Sequence, residues 1–212
     1  MPEEKKMVVV YGSCYGSTKQ YAEWLAEELH GDLYEQSEIT LENLLKYDTI
    51  IYGGSLYAGK ILGLSLIKNR FNELRNKRVV VFSVGASPTS SQVVEYIKSR
   101  NFTAEMRERV NFFYLRGKLN YAELKPVHKF MMFLMKKRLQ YKKEKLNEEE
   151  KLLMECYTQP ADWTSRKAIK PIVQYIHIVE AVRKKYQKPL TSWLFYIKIQ
   201  YVASDGHIFM QA

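Results

Sequence analysis

Cysteine is scarce in this chain of 212 residues: Cys14 and Cys156 are the only two, and neither belongs to a Cys-x-x-Cys pair. That excludes a disulfide framework and a cysteine-built zinc site, and a reducing compartment suits the composition. The four histidines are scattered without the spacing of metal ligands, so no metal centre is expected. No apolar run approaches the roughly 20 residues that a bilayer-crossing helix needs. The opening residues, Met1-Pro2-Glu3-Glu4-Lys5-Lys6, are charged where a secretory leader would be apolar. These absences together lead to the expectation of a cytoplasmic protein. Acid is also the minority charge. Against 23 Asp plus Glu stand 33 Lys plus Arg, a net charge of +10 that attracts anionic partners. No nucleic-acid-binding motif accompanies the charge, so nucleic acid is not the expected anion.

What is present is organised around Val8-Val9-Val10-Tyr11-Gly12-Ser13-Cys14-Tyr15-Gly16-Ser17-Thr18, an apolar run that breaks at glycine, fills with hydroxyls and continues into helical periodicity. A strand, a tight loop and a helix start follow from that pattern. The amides of a first helical turn have no intrahelical acceptor and carry the positive end of the helix dipole, so the loop is a ready anion site. Known nucleotide loops do not fit it. The Walker loop needs four residues between its glycines and a following Lys, whereas three separate Gly12 from Gly16 and Ser17 comes next. The dinucleotide fingerprint lacks its second glycine. Where a phosphatase loop starting at Cys14 would have its arginine stands Gln20, which makes Cys14 a small loop residue. A glycine- and serine-rich turn that merely starts a helix has the same letters.

Four further apolar runs read as strands: Asp32 to Glu35, Thr49 to Tyr52, Val79 to Ser83 and Val110 to Leu115. Runs as continuous as Thr49-Ile50-Ile51-Tyr52 and Val79-Val80-Val81-Phe82 belong to strands buried on both faces of a parallel sheet. Helical spacing over Thr18 to His30, Leu41 to Tyr47, Ile61 to Leu74 and Ser91 to Arg100 alternates with them. The fold class is therefore α/β, a doubly wound sheet of five parallel strands with helices on both faces. Ligands of such sheets bind beyond the carboxyl ends of the strands, where strand order reverses. The loops to watch follow Tyr11, Tyr52 and Ser83. Gly53-Gly54-Ser55-Leu56-Tyr57-Ala58-Gly59-Lys60 and Val84-Gly85-Ala86-Ser87-Pro88-Thr89-Ser90 could lie on either side of a flat ring, with Tyr57 stacked on it or simply covering its own loop.

The hexapeptide Ser13-x-Tyr15-Gly16-Ser17-Thr18 resembles the flavodoxin phosphate loop, written T-x-T-G-N-T, with Tyr15 and Ser17 in place of a small hydroxyl residue and an asparagine. The resemblance implies the flavodoxin strand order 2-1-3-4-5 and an FMN cofactor. Its phosphate would lie on Ser13, Tyr15, Gly16, Ser17 and Thr18. Its ring would lie among Ser55, Leu56, Tyr57, Ala58 and Gly59 on one side and Val84, Gly85, Ala86 and Ser87 on the other. FMN rather than FAD follows from a single phosphate loop and no dinucleotide fingerprint.

Beyond Leu115 the chain departs from a minimal flavodoxin. Arg116-Gly117, the aromatic turn to Tyr121, the basic Lys129-Phe130-Met131 helix and Asp162-Trp163 at the opening of the last helix are similar to the menaquinone-dependent protoporphyrinogen dehydrogenase branch. Tyr47-Asp48 and Gly53-Gly54-Ser55-Leu56-Tyr57-Ala58-Gly59 add to the likeness, which runs from Met7 to Tyr186. It implies an oxidoreductase that passes electrons from an amphiphilic, anionic small-molecule substrate to FMN and then to a quinone. A flavodoxin-type electron carrier and a non-redox interaction domain remain the alternatives, and no catalytic acid or base is identified. Domain organisation reads as residues 1–186 with an insertion at about 117–160, followed by an appendage at 187–212 whose Asp205-Gly206 signals a hairpin. In the insertion, Phe130, Met131, Leu134, Met135 and Leu139 share a helical face and Lys129, Lys136, Lys137, Lys142 and Lys143 supply a basic remainder. That suits packing on the core, a homodimer contact, a surface for a lipophilic substrate, or peripheral contact of residues 127–143 with the inner face of a membrane.

Overall fold

The computed structural model describes residues 7–141 and 148–186. Five strands, Met7–Gly12 (β1), Asp32–Glu35 (β2), Thr49–Tyr57 (β3), Arg78–Gly85 (β5) and Asn111–Arg116 (β6), form a parallel sheet in the order β2-β1-β3-β5-β6. Counting the parallel strands alone, this is the expected 2-1-3-4-5, a flavodoxin-like α/β fold. A short strand, Lys60–Ile61 (β4), folds back antiparallel on the end of β3.

The continuous apolar runs are explained by burial on two faces. Val8, Val10, Ile50, Tyr52, Val79 and Val81 point to one core, beneath Leu41–Leu44 (α2), Ser65–Lys68 (α3), Ser91–Asn101 (α4) and Ala104–Arg109 (α5). Val9, Tyr11, Ile51, Val80 and Phe82 point to the other, beneath Ser17–Leu29 (α1) and Lys170–Tyr186 (α8). Each large side chain so enclosed contributes about 1.5–3 kcal/mol.

The structure corrects the sequence reading at several places. Gly53 to Tyr57 is not a loop but the continuation of β3. An added Cβ at Gly53 would sit 2.1 Å from Phe82 Cζ, and one at Gly54 would sit 2.3 Å from Ile61 Cγ2. The paired glycines let a phenyl ring cover the strand on one face and the β4 hairpin on the other. The helix expected over Ile61 to Leu74 is broken into α3 and a 3-10 turn, Phe71–Leu74, because Gly63 takes φ +71° and Arg70 leaves helical geometry. Asp162 and Trp163 do not open the last helix. Ala161–Asp162 (β8) pairs with Lys118–Leu119 (β7) as a small antiparallel ribbon, and α8 begins at Lys170. The insertion carries Pro126–Gln140 (α6) and Glu148–Glu155 (α7) and has its own small core of Leu119, Leu124 and Cys156, with Met132 and Leu153 against it. The hairpin expected around Asp205-Gly206, and Lys142 and Lys143, lie outside the described residues.

Candidate functional site

At the carboxyl end of the sheet, β1 delivers the chain into the loop from Ser13 to Gly16 and then into α1. Gly16 turns the corner at φ +86°, a left-handed conformation that favours glycine, and no side chain caps the helix behind it. By contrast, Thr40, Ser90 and Thr103 cap α2, α4 and α5 with their hydroxyls. The first helical bond of α1 runs from the Gln20 amide to the Gly16 carbonyl. The amides of Ser17, Thr18 and Lys19 therefore have no acceptor inside the helix.

The hydroxyls of the loop can be accounted for one by one. Ser13 Oγ accepts the Gly16 N–H at 3.1 Å, and Ser17 Oγ accepts the Lys118 N–H at 2.9 Å. Ser55 Oγ, at the end of β3, accepts the Cys14 N–H at 3.0 Å and lies 2.9 Å from Thr18 Oγ1. Only one proton is shared between Thr18 and Ser55. One hydroxyl proton of that pair, with those of Ser13 and Ser17, stays available to an external acceptor. Donors without acceptors at an uncapped helix start fit a phosphate.

Two loops complete the cleft. The turn between β3 and β4 places Ala58 at φ +48° and Gly59 at φ +76°. It is held from behind by the buried Asn101, whose Nδ2 donates to the Gly59 carbonyl at 2.7 Å and whose Oδ1 accepts the Ile61 N–H at 2.9 Å. Across from it, the loop after β5 is pinned by the Tyr114 hydroxyl donating to the Ser87 carbonyl at 2.8 Å and by the Gly117 N–H donating to the Gly85 carbonyl at 2.8 Å. Burial pushes the Tyr114 phenol up to about 12, so it remains a protonated donor. Asn101 was not legible as a site-building residue, because its partners lie some forty positions away. Replacing it by Ala should leave the Ile61 N–H and Gly59 carbonyl unpaired at a cost of about 1–3 kcal/mol each. A thermal melt and amide exchange at Gly59 and Ile61 measure this; unchanged protection would contradict it.

The cleft these loops enclose has a volume of about 980 Å³. Tyr15, Ser17, Thr18, Ser55, Leu56, Tyr57, Ala58, Gly59, Val84, Gly85, Ala86 and Ser87 line it, so the structure brings these expected residues together around one space. Ser13 and Gly16 stand on the same loop but outside the lining. Cys14, taken as a mere loop residue, also faces it.

The remaining wall is α6. His128, Met131, Met132, Leu134, Met135 and Arg138 from this helix line the cleft. None of its residues is fully buried, so the core-packing reading of this segment does not hold. Nor are all its charges on a solvated face: Arg138 faces the cleft and Lys136 lies over the Tyr157 ring at 5.1 Å. Three aromatic rings fasten its start. Tyr15 Oη accepts the Lys125 N–H at 3.1 Å and bonds to His128 Nδ1. The His128 ring lies 4.2 Å from that of Tyr57, whose hydroxyl donates to Met131 Sδ. The tyrosine that departs from the usual phosphate loop is thus the residue that ties the loop to the insertion.

Partial burial, and secondarily the charge of Lys125, hold His128 below the ordinary histidine value of 6.5. The folded state then binds this proton less tightly than the unfolded state. The stability it contributes is present above pH 6.5 and is lost as the pH falls from there through the lower folded value. A histidine-resolved NMR titration should give a midpoint below 6.5, moving part of the way back in Lys125→Gln; a midpoint at or above 6.5 would contradict the fastening.

Among the described residues, no cluster of His, Cys, Asp and Glu could hold a metal ion, and no helix is long and apolar enough to cross a membrane.

Comparison with known proteins bears on this arrangement. Residues 8–146 match the family described as Flavodoxin domain. No curated protein sequence matches the chain. Similar solved structures include a flavodoxin, WrbA-like protein from Agrobacterium tumefaciens, at 19% identity over 52% of this chain and 83% of that one, with a TM-score of 0.37. The Trp repressor binding protein from Bacillus subtilis is 19% identical over 53% and 83%, at 0.41. A flavoprotein in complex with FMN from Lactobacillus acidophilus is 20% identical over 53% and 93%, at 0.33. With its match covering well over half the chain, this protein belongs to the flavodoxin-domain family.

Proposed function

We propose that the cleft binds FMN and that the protein is an FMN-dependent oxidoreductase for an amphiphilic, anionic substrate, with a quinone as the acceptor. The observation that carries the reading is the convergence of the uncapped, hydroxyl-rich start of α1, the two backbone-pinned loops and α6 on one cleft. Amides of the first turn of α1 and the free hydroxyl protons of Ser13, Ser17 and the Thr18–Ser55 pair would hold the phosphate. Residues 55–59 and 84–87 would flank the ring. When bound, FMN supplies the redox chemistry, taking up electrons as hydride from the substrate and releasing them to the quinone. The chain's own part is to position and to exclude water. Leu119, Leu124, Met132 and Met135 give the α6 side of the cleft an apolar lining suited to a large flat substrate. Arg138 adds a cation there for a substrate carboxylate.

A minimal electron carrier needs an open flavin edge, and the wall built by α6 argues against that use. Anaerobic incubation of the FMN-loaded protein with protoporphyrinogen and a menaquinone analogue tests the reading. Porphyrin fluorescence should rise with enzyme concentration, and Arg138→Gln should raise KM about tenfold while FMN content stays unchanged, as expected for loss of one charge-assisted hydrogen bond. No porphyrin, with rapid one-electron exchange with a reductase partner, would establish the carrier instead. Redox silence in both assays would leave an interaction domain.

A further inference from the structure

The cleft uses one side of α6, and among the described residues nothing covers the aromatic side chains on the opposite side. Phe130, Phe133 and Tyr141 are 60%, 44% and 81% exposed, although they are large aromatic residues. On a helical wheel Phe130, Phe133, Lys137 and Tyr141 fall together on the outward side, away from His128, Met132 and Leu139, which turn toward the protein. Apolar clusters of this kind on a helix mark an interaction surface. The charge on α6 narrows the partner. Pro126–Gln140 contains Lys129, Lys136, Lys137 and Arg138 and no acidic residue. Among the described residues Lys129, Lys137 and Arg138 form no ion pair, and Lys137 Nζ lies 5.0 Å over the Phe133 ring, alongside the apolar side chains and not apart from them. Cations interleaved with aromatic side chains on an outward helix face complement an interface that is apolar below and anionic above, which is what the headgroup region of an anionic bilayer presents.

We infer that the outer face of α6 seats the protein on anionic lipid, with Phe130 and Phe133 inserted at the acyl boundary and Lys129 and Lys137 at the headgroups. The helix that walls the cleft is then the one in contact with the membrane, so that a lipid-dissolved reactant reaches the cleft along α6 without crossing water. This source for the reactant rests on the functional reading above; the seating itself does not.

Sedimentation of the full chain with vesicles of phosphatidylglycerol and phosphatidylcholine, and with phosphatidylcholine alone, is the test. It needs no flavin, so its failure and a failure of FMN binding are read separately. Binding is expected to anionic vesicles and to weaken with salt. Lys129→Gln with Lys137→Gln should lower the partition coefficient about thirtyfold. Phe130→Ser with Phe133→Ser should lower it on the order of a hundredfold. Phe130, Phe133 and Lys137 are exposed and Lys129 is half-buried, none of the four belongs to the buried core, and the melting curves should match that of the parent protein. As a local reporter, Phe130→Trp should give a blue-shifted difference emission on anionic vesicles. Absence of sedimentation at low salt would overturn the inference, as would binding that neither double variant weakens. A concentration-dependent dimer that disappears in the Phe130 and Phe133 variant, without vesicle binding, would assign the face to a second copy of the chain and overturn it equally.

Discussion

Gly53→Ala is expected to destabilise this protein strongly for the addition of a single methyl. Gly53 lies in the middle strand β3, opposite Phe82 on β5, and the fully buried Phe82 ring lies across the space where a Gly53 side chain would stand. The added carbon would meet Cζ, Cε1 and Cε2 at 2.1, 2.5 and 2.6 Å. The ring is packed with Val9, Leu25 and the other buried side chains of the core beneath α1 and α8, which oppose its displacement. Overpacking of this kind typically costs about 1–3 kcal/mol and sometimes more. In a protein of this size each 1 kcal/mol moves the melting temperature by about 2–4 °C, so a fall of roughly 2–12 °C is expected. Phe82→Leu in the Gly53→Ala background should recover part of the loss, because the shorter side chain vacates the clash. A melt within a degree or two of the parent would show that the ring can be accommodated elsewhere.

Ser55→Ala should have the largest effect on the cleft. It removes the acceptor of the Cys14 N–H and the partner of Thr18 Oγ1, the two bonds that fasten the phosphate loop to β3. Thr18 is completely buried, so its hydroxyl cannot turn to water for compensation. An unpaired buried polar group costs about 1–3 kcal/mol, which in affinity is roughly 5- to 150-fold. FMN affinity should weaken within that range. Thr18→Val should have a similar effect, and the double variant little more than either alone, because one contact is being removed twice. Full additivity would mean that the hydroxyls contact the ligand separately and not each other. Gly16→Ala is a milder probe. Nothing lies within 4 Å of the added methyl, so its cost is the about 1–2 kcal/mol of holding a non-glycine residue at φ +86°.

The five parallel strands were readable because burial on both faces leaves no room for polar residues, and Thr49 to Tyr52 or Val79 to Phe82 carry almost none. The start of α1 was readable because only a few spacings of glycine and hydroxyl residues suit an anion. The extension of β3 was not, since Gly53-Gly54 has the letters of a loop and is kept in the sheet by Phe82 and by Ile61 from the hairpin, neither of them local. Asn101 escaped for the same reason: its chemistry is defined by a carbonyl and an amide about forty residues upstream. The insertion posed a different difficulty. Apolar residues occur around most of α6, so periodicity alone could not separate the side that lines the cleft from the side that faces outward. Tyr15 looked like a weakened phosphate contact, and its structural part emerges only when His128 and Lys125 are brought to it. The site could therefore be read where it is made of contiguous sequence, and not where the insertion folds over it.

The central claim is that the start of α1 receives the phosphate of FMN, and titration of the purified protein with FMN, riboflavin and FAD, followed by quenching of flavin fluorescence, tests it most directly. The account predicts saturable binding of one FMN per chain. Riboflavin, which lacks the phosphate, should bind on the order of a hundredfold more weakly, since each hydrogen bond to a charged group contributes about 1.5–3 kcal/mol. FAD should bind more weakly than FMN, because the chain has a single phosphate loop and no dinucleotide fingerprint. Absence of quenching by FMN, or riboflavin binding as tightly as FMN, would contradict the account.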